Sequence, residues 1–421
     1  MNDIPDLSVS VAGVRFKSPV LAASSECSSD VPLIEKLAGT VAGGIVTKTF
    51  TSREEHKVRV RPYQFPLQVF GKDYKEGNCL LSLAAPHVED IGPWLDKISR
   101  MAEICRASSM PLIASYFEVP ENLPLWIRRA RAFEKAGADM IELNFSCPHT
   151  SRVFHQGFEV PIEIISRVKE HTSIPVGLKI GPTLEPLESF IASLHRASPD
   201  FITAHNAPGG ILIDVEKEVP FGAPAIEGYV MGRAFLPYSL ARIVRIRRES
   251  DIPLIGIGGI GAPRDALQYL LCGCHLAGIG SGLYFGGFEI LDRIHRGISA
   301  WMKNKGYRSI DEFRGKVLHL ITDPATLGAK EKYPFVMPPE CPYVPVVDES
   351  KCNLCRACEK ACIYDVFRME AEKEGISVDE SRCWSCGFCV GICPGGAIEL
   401  RDRRYRERVI WNNQGTAIPF Q

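Results

Sequence analysis

Two cysteine runs near the carboxyl end restrict the fold of this chain more than any other feature of its sequence. Both have the spacing C-x2-C-x2-C-x3-C, and together they hold eight of the 15 cysteines. The first run is Cys352, Cys355, Cys358 and Cys362, and the second is Cys383, Cys386, Cys389 and Cys393. A doubled run of this kind is typical of a small ferredoxin-like domain with two [4Fe–4S] clusters.

The spacing also predicts which thiolates share a cluster. Each cubane needs four soft ligands, three from one tight loop and a fourth from elsewhere. By the usual crossover, Cys393 joins the first three cysteines of the first run, and Cys362 joins the first three of the second. Zinc or disulfides are the alternatives, but zinc normally uses isolated cysteine pairs and four ligands in all.

A proline-rich stretch separates this segment from the rest of the chain. Residues 331–347 contain five prolines, which resist helix and central strand and favour an extended chain. We therefore predict a linker over 331–347, with a larger domain over 1–330 before it. The ferredoxin-like domain follows over 348–421 and has an Arg-rich tail at 401–408.

Composition narrows the class of protein. With 49 basic and 50 acidic residues the formal charge is −1, which excludes a generally basic nucleic-acid binder. The first residues, MNDIPDLS, lack the basic and apolar regions of a secretory signal, so we expect a cytoplasmic protein whose thiols serve metal binding or catalysis. The uncharged stretch 266–288 contains Gln268, His275 and many glycines, which favours a buried strand with loops over a membrane span.

Residues 1–330 alternate eight short apolar runs with amphipathic stretches. An example of the latter is 125–139, with apolar residues at three- and four-residue spacing and Gly137 as a stop. Nearly continuous apolar strands that alternate with helices indicate a parallel sheet covered on both faces. Eight repeats fit an α/β fold of the (β/α)8 TIM barrel type, with a doubly wound open sheet as the alternative.

Most of the runs end in polar or glycine residues, which a barrel would gather on one face. Lys48 follows the second run, and Lys179 lies in the fifth. Burying a lysine is costly unless it meets an anion or a polar ligand, so the pair suggests a ligand with delocalised negative charge, such as a reduced flavin. Snorkelling or pairing with a local carboxylate is the alternative for each.

Glycines end the seventh and eighth runs, at Gly258 and Gly259 and at Gly280 with Ser281. In a barrel these loops form the usual phosphate site. The segment 254–261 also matches the dinucleotide fingerprint G-x-G-x-x-G, but no acidic residue follows about 20 positions later. Packing glycine is the remaining alternative.

Polar groups with catalytic potential follow the fourth and sixth runs. The segment NFSCPH carries Asn144, Ser146 and Cys147, and Asn206 ends the sixth run. Amides bind the carbonyl and N–H groups of a neutral ring, and a thiol at the mouth can act as a proton donor or acceptor. A buried spacer is the alternative for Cys147.

The ordered set TKTF, GADMIELNFSCPH, LKI, GIGGI and GSG resembles the flavin barrel of the dihydropyrimidine and dihydroorotate dehydrogenases. With its two-cluster tail, the chain is most similar to the bacterial NAD-dependent dihydropyrimidine dehydrogenases that carry both parts. The resemblance implies FMN in the barrel, Cys147 as general acid/base, and two groups of binding residues. The FMN group is Ser24, Lys48, Thr49, Lys179, Gly232, Gly258, Gly259, Gly280 and Ser281. The substrate group is Asn122, Asn144, Ser146 and Asn206.

Some positions depart from the family pattern. Ala207 stands where the family has Thr, and Met231 stands where Ser is usual. The segment after His149 lacks the Gly-rich loop of dihydropyrimidine dehydrogenases. His155, His205 and Glu159 are interpreted as surface or packing residues.

The expected function is hydride exchange between FMN and a C–C bond of a small cyclic substrate, with electrons relayed through the clusters. The expected partner is an NAD(P)H-oxidising flavoprotein subunit or a soluble ferredoxin, and the family leads us to expect a homodimer or hetero-oligomer. We expect no nucleic-acid or membrane partner. The alternatives are an electron-transfer subunit without substrate chemistry, and a dihydroorotate dehydrogenase or another ring or enoyl reductase.

Overall fold

In a computed structural model the chain divides into two compact units, Met1–Ile321 and Thr322–Gln421. The structure describes residues 4–54, 63–67, 79–146, 154, 157–220, 227–323, 335–370 and 375–412. Among these residues, no helix combines the length and the apolar character that crossing a lipid bilayer requires.

Eight parallel strands of the first unit form a closed barrel. Each strand pairs with the next along the chain, and the eighth pairs with the first to close the circle. The predicted (β/α)8 barrel is therefore confirmed, and the open sheet is excluded. In chain order the strands are β1 (Val20–Ala22), β2 (Ile45–Val46), β3 (Leu112–Tyr116), β4 (Met140–Asn144), β5 (Val176–Lys179), β6 (Ile202–Ala204), β7 (Leu254–Ile257) and β8 (Leu276–Ile279).

Helices follow the strands and bury one face each against them. In the helix Leu123–Lys135, for example, Trp126, Ala130 and Phe133 are buried at the spacing of one helix face. This pattern explains why the apolar strands read as continuous runs, since helices cover the side that faces away from the barrel. The helices are α1 (Val31–Ala38), α2 (Ile91–Ala107), α3 (Leu123–Lys135), α4 (Glu159–Glu170), α5 (Leu187–Ser193), α6 (Leu236–Glu249), α7 (Pro263–Leu271), α8 (Ser281–Gly286) and α9 (Glu289–Lys305).

Further short strands lie outside the barrel circle. Four of them form an antiparallel sheet in the order Gly209–Gly210, Gly228–Met231, Cys79–Ser82 and Gln64–Leu67. Phe50–Thr51 pairs with β3 and with His87–Val88. Two hairpins complete the unit, Val9–Val11 with Val14–Phe16 and Ile213–Asp214 with Val219–Pro220.

Within its described residues, the second unit contains two antiparallel sheets and two short helices. Tyr343–Val347, Ile398–Asp402 and Val409–Asn412 form one sheet, and Phe367–Glu370 pairs with Gly375–Val378. The helices are α10 (Ala357–Ala361) and α11 (Phe388–Ile392). The ferredoxin-like domain is confirmed by its match to a dicluster family model, reported below.

The first strand of this unit falls within the stretch that the prolines predicted to be a linker. Tyr343–Val347 contains Pro345 and lies at the edge of its sheet. An edge strand tolerates proline because one side of it needs no ladder donor. The Arg-rich segment predicted as a tail forms part of Ile398–Asp402 and the turn that leads to Val409–Asn412.

His275 connects two barrel strands through its ring and its backbone. Its Nδ1 accepts a hydrogen bond from the N–H of Leu254 at 3.3 Å, and its own N–H donates to the Leu254 carbonyl at 2.8 Å. Burial, and after it the charges of Arg314 and Arg247, lower the pKa of His275 to about 4. The ring is therefore neutral in the folded protein at neutral pH.

This lowered pKa predicts a pH-dependent stability. The contribution of neutral His275 is fully present above the unfolded-state pKa of about 6.5 and is lost as the pH falls toward about 4, since the unfolded chain takes up a proton that the folded ring refuses. His275→Asn keeps an acceptor but does not titrate, so its free energy of unfolding should fall less between about pH 7.5 and about pH 5. Denaturant titrations of both proteins at both pH values measure this. Equal losses would contradict the prediction.

Candidate functional site

One large cleft opens at the carboxyl ends of the barrel strands. It encloses about 1130 Å³ when the open space at its mouth is counted. It brings together eleven of the residues that the sequence predicted for a site. These are Ser24, Lys48, Thr49, Asn144, Lys179, Asn206, Gly232, Gly258, Gly259, Gly280 and Ser281.

Two other predicted residues, Ser146 and Asn122, do not line the cleft. Ser146 is buried beside the cleft and donates to Asn144 Oδ1 through its Oγ, at 2.5 Å, and its N–H, at 2.9 Å. Asn122 is not among the residues that line the cleft, and its Oδ1 caps α3 by accepting from the N–H of Leu125. Cys147 lies outside the described residues, as does His155.

Lys179 places a buried ammonium at the cleft. The residue is 5% exposed, and its Nζ has no hydrogen-bond or ion-pair partner among the residues that the structure describes. Burial lowers the pKa of Lys179, Glu142 opposes that shift, and Lys48 adds to it. A buried cation without acceptors is costly, so the site favours an anionic or carbonyl-bearing ligand at this point.

Lys48 is the second cation at the cleft, and its charge is paired with a carboxylate of this chain. Its Nζ lies 3.2 Å from Glu26 Oε1, with both side chains partly buried. The pairing with a local carboxylate, which the sequence left open for both lysines, thus holds for Lys48. The structure gives Lys179 no such contact within the described residues.

A network of hydroxyl groups lies on the barrel side of the cleft. Thr49 Oγ1 is 3.2 Å from Ser24 Oγ and 2.9 Å from Ser115 Oγ, and it accepts from Asn144 Nδ2 at 3.0 Å. These bonds fix the amide of Asn144 and the hydroxyls of Ser24 and Thr49 before any ligand binds. Preorganised polar groups of this kind can orient a flat polar ring.

The network ends on a buried carboxylate that the sequence analysis did not select. Glu142 is 1% exposed and accepts from Ser115 Oγ at 2.8 Å and from Thr203 Oγ1 at 2.6 Å. The signal was available, since Glu142 is a charged residue within an apolar strand, as Lys179 is.

His205 also lines the cleft, although the sequence favoured a packing role. Its Nδ1 is 2.5 Å from the Asn206 carbonyl, an acceptor, so Nδ1 carries the proton. Burial is the main reason that the pKa of His205 is lowered to about 4. The neutral ring leaves Nε2 as a buried acceptor without a partner in the described part of the chain.

Gly232, Gly258 and Gly259 also line the cleft and are called here the glycine cradle. Gly232, Gly258 and Gly259 have φ values of 121°, 126° and 72°, which L side chains rarely adopt. A Cβ on Gly259 would lie 2.8 Å from the backbone nitrogen of Leu236, where α6 begins. The close approach of these loops to a helix N-terminus suits an anion such as a phosphate.

An ion pair holds two of the loops around this cradle. Arg233 Nε lies 3.1 Å from Asp265 Oδ2, and Asp265 is 2% exposed. The same carboxylate oxygen accepts from the N–H groups of Gly261 and Ala262 at 3.0 and 2.9 Å. The loop after β7 is thereby fixed against the turn that precedes α6.

The cysteine runs of the second unit form two thiol groups. Around a pocket of about 350 Å³, Cys393 joins Cys352, Cys355 and Cys358. The other group consists of Cys389 with Cys383, Cys386 and Cys362. Burial first, and then the charges of these three neighbours, raise the pKa of Cys389 to about 12. Such thiols ionise only next to strong positive charge, which iron supplies.

The described residues contain no cluster of three or more His, Cys, Asp or Glu side chains placed to hold one metal ion. A four-iron cubane is several ångströms across, so its thiolates do not converge on one point. Within the described residues the cysteines also form no disulfides. Two groups of four thiols, each drawn from both runs, are what two [4Fe–4S] clusters require.

The cleft likewise fits FMN on observations of its own. The glycine cradle can take a phosphate, and the buried ammonium of Lys179 can face an electron-rich ring edge. A Cβ at Gly280 would meet no atom within 4 Å, so space remains beside the backbone at this edge of the cleft.

Comparisons with known proteins agree with this geometry. A family model described as dihydroorotate dehydrogenase matches residues 126–302, and a 4Fe-4S dicluster domain model matches residues 351–397. The catalytic subunit of dihydroorotate dehydrogenase B (NAD(+)) from Pyrococcus abyssi is 30% identical over 318 residues, 74% of this chain and 99% of the relative. The corresponding subunit from Methanothermobacter thermautotrophicus is 28% identical over 315 residues, 73% of this chain and 97% of its own.

Some relatives span both units. The NAD-dependent dihydropyrimidine dehydrogenase subunit PreA of Escherichia coli is 26% identical over 426 residues, 96% of this chain and 97% of its own length. The cofactors of this chain are accordingly FMN and two [4Fe–4S] clusters. The chain belongs to the dihydroorotate dehydrogenase family, as a flavin-dependent oxidoreductase of CH–CH bonds with a two-cluster ferredoxin domain.

Proposed function

We propose that this protein exchanges a hydride between FMN and a C–C bond of a small cyclic amide, in the manner of a dihydropyrimidine dehydrogenase. The observation that carries the proposal is the meeting of three features in one cleft: the glycine cradle, the ammonium of Lys179, for which the described residues offer no acceptor, and the amides of Asn144 and Asn206. Bound FMN supplies two-electron hydride chemistry and can also pass single electrons.

The residues of the chain divide the remaining work. Ser24, Lys48, Thr49 and Lys179 hold the flavin ring, while Gly232, Gly258, Gly259, Gly280 and Ser281 surround its phosphate. Asn144, Ser146 and Asn206 orient the carbonyl and N–H groups of the substrate. Asn122, which caps α3, is proposed for the substrate on family resemblance alone.

Cys147 is proposed to move the proton on the carbon next to the hydride position. A proton transferred from a fixed group avoids a free carbanion, because charge is neutralised as it develops. The segment that holds Cys147 directly follows Asn144 and Ser146, which border the cleft.

The two clusters are proposed as the electron relay to a partner. Cys352, Cys355, Cys358 and Cys393 hold one cluster, and Cys383, Cys386, Cys389 and Cys362 hold the other. The partner is an NAD(P)H-oxidising flavoprotein subunit or a soluble ferredoxin, and PreA is itself named as a subunit. A cytoplasmic location and a homodimer or hetero-oligomer are further parts of the proposal.

Dihydroorotate oxidation is the second candidate, because the relatives of 28–30% identity in the barrel carry that name. The PreA relatives, which match both units, favour a dihydropyrimidine instead.

An anaerobic substrate screen tests the proposed function. Protein purified without oxygen should contain FMN, iron and sulfide, and a dihydropyrimidine should bleach its flavin without any partner. Dihydroorotate is tested in parallel, and its faster reaction would select the second candidate. A loaded protein that reacts with no uracil, thymine, orotate or dihydro-derivative would instead support an electron-transfer subunit.

Replacing Cys147 tests the proton transfer. Cys147→Ala should retain FMN but lower the rate of substrate-dependent flavin reduction by about 10²–10⁴-fold, and Cys147→Ser should lie between it and the unaltered enzyme. Anaerobic stopped-flow absorbance measures the rate. Cys27→Ala is the matched control, since this partly buried thiol does not line the cleft. Full activity of Cys147→Ala would refute the role.

Adding a methyl group at Gly280 tests the FMN site. The new Cβ meets no protein atom within 4 Å but lies at the cleft, so Gly280→Ala should fold and yet crowd the ligand. We expect FMN binding to weaken by about 1–3 kcal/mol, which is about one to two orders of magnitude in Kd. Fluorescence titration of flavin-free protein gives Kd. In the control, Gly92→Ala, the Cβ also meets open space but lies in α2, and equal affinities of the two variants would exclude the predicted position.

A further inference from the structure

The inside of the barrel holds a carboxylate for which the proposed function has no use. Glu142 lies in β4, two residues before Asn144 and on the same side of the strand. Hydroxyls from β3 and β6 hold its two oxygens separately, Ser115 on Oε1 at 2.8 Å and Thr203 on Oε2 at 2.6 Å. No Lys or Arg of the described residues lies within ion-pair distance of it.

The strand register places Lys179 next to the groups that hold this carboxylate. Lys179 is paired with Asn144 on one side and with Thr203 on the other. Paired residues of neighbouring strands point to the same face of the sheet. Lys179 and Glu142 are therefore diagonal neighbours inside the barrel, and they form no ion pair with each other.

The other charged groups that face Lys179 do not balance it. The ammonium of Lys48 repels that of Lys179. It is itself paired with Glu26, with 3.2 Å between Nζ and Oε1. Burial is the main cause that lowers the pKa of His205 to about 4, so this ring is neutral at neutral pH. Glu142 is thus the carboxylate left to offset the ammonium, and a dry interior lets its field act over several ångströms.

We propose that Glu142 is a positioning residue that keeps Lys179 protonated under the bound ligand, with Ser115 and Thr203 fixing its carboxylate. This inference rests on the proposed function, since the ligand concerned is FMN. A permanently charged Lys179 binds the electron-rich reduced form of the cofactor more strongly than the oxidised form. Glu142 thereby acts on the reduction potential of the site without touching cofactor or substrate.

Glu142→Gln tests the proposal, because the amide retains the shape and hydrogen-bonding capacity of the side chain and removes its charge. The readout is the preference of the protein for reduced over oxidised FMN, obtained from the midpoint potential of the bound flavin in anaerobic titrations across a range of pH. We expect the preference to fall by about tenfold and to decrease further as the pH rises, since Lys179 then loses its proton more easily. Glu142→Asp should restore part of it.

A double-mutant cycle separates this role from a structural one. Lys179→Met should lose the preference at every pH, and adding Glu142→Gln to it should change nothing more. Glu118→Gln is the matched control, since Glu118 is also fully buried but pairs with Arg129 and Ser52 and does not line the cleft. Its FMN preference should equal that of the unaltered protein.

The outcomes are distinct. An unchanged preference in Glu142→Gln, or an equal effect of Glu142→Gln with and without Lys179, would overturn the inference. If Glu142→Gln fails to fold, Glu142→Asp and Thr203→Val replace it in the same titrations. Glu142→Asp moves the carboxylate, and Thr203→Val removes one of the hydroxyls that hold it, while both keep its charge. Unaltered protein that binds no FMN would refute the proposed function itself.

Discussion

Closure of the eight strands is the constraint on which the site depends. Parallel strands that pair in chain order must all end on the same rim, so the residues after each strand meet around one opening. Residues far apart in the chain, such as Ser24, Lys179 and Gly258, become neighbours for this reason alone. Pairing of β8 with β1 also leaves no free strand edge within the circle.

Closure of the barrel buries two charged side chains, which is unfavourable until a ligand interacts with one of them. Inside the rim, the ammonium of Lys179 and the carboxylate of Glu142 are both withdrawn from water and form no ion pair with each other. Separated buried charges are unfavourable unless other groups solvate them. Hydroxyls solvate the carboxylate, while the ammonium is left for whatever occupies the cleft. The arrangement sacrifices stability for a charge that is already in place when the ligand arrives.

Much of this could be predicted from the sequence, because the relevant signals are local. Apolar runs of strand length predicted the eight barrel strands, and the spacing of the cysteines predicted the domain type. The polar ends of the runs and the family resemblance together predicted part of the cleft lining, since a barrel converts a strand end into a position on the rim.

What the sequence did not reveal depends on three-dimensional neighbours. Glu142 was passed over because only the register of β3, β4 and β6 shows its hydroxyl partners. His205 was interpreted as packing, since nothing in its own segment indicates that Nε2 lacks a partner. The cap formed by Asn122 had a local signal, an Asn before Leu-Pro at a helix start. The strand at Tyr343–Val347 was hidden because proline marks both linkers and sheet edges.

The two thiol groups of the second unit each take three members from one cysteine run and the fourth from the other. Neither half of the unit can therefore complete its own group. Cluster assembly is therefore expected to be cooperative. Binding of a cluster at one site brings the two cysteine runs together, and this also gathers the four thiols of the other site. Oxidation of Cys362 or Cys393 would likewise remove a ligand from the group that the other run supplies. The two sites are therefore expected to be filled together and to be lost together.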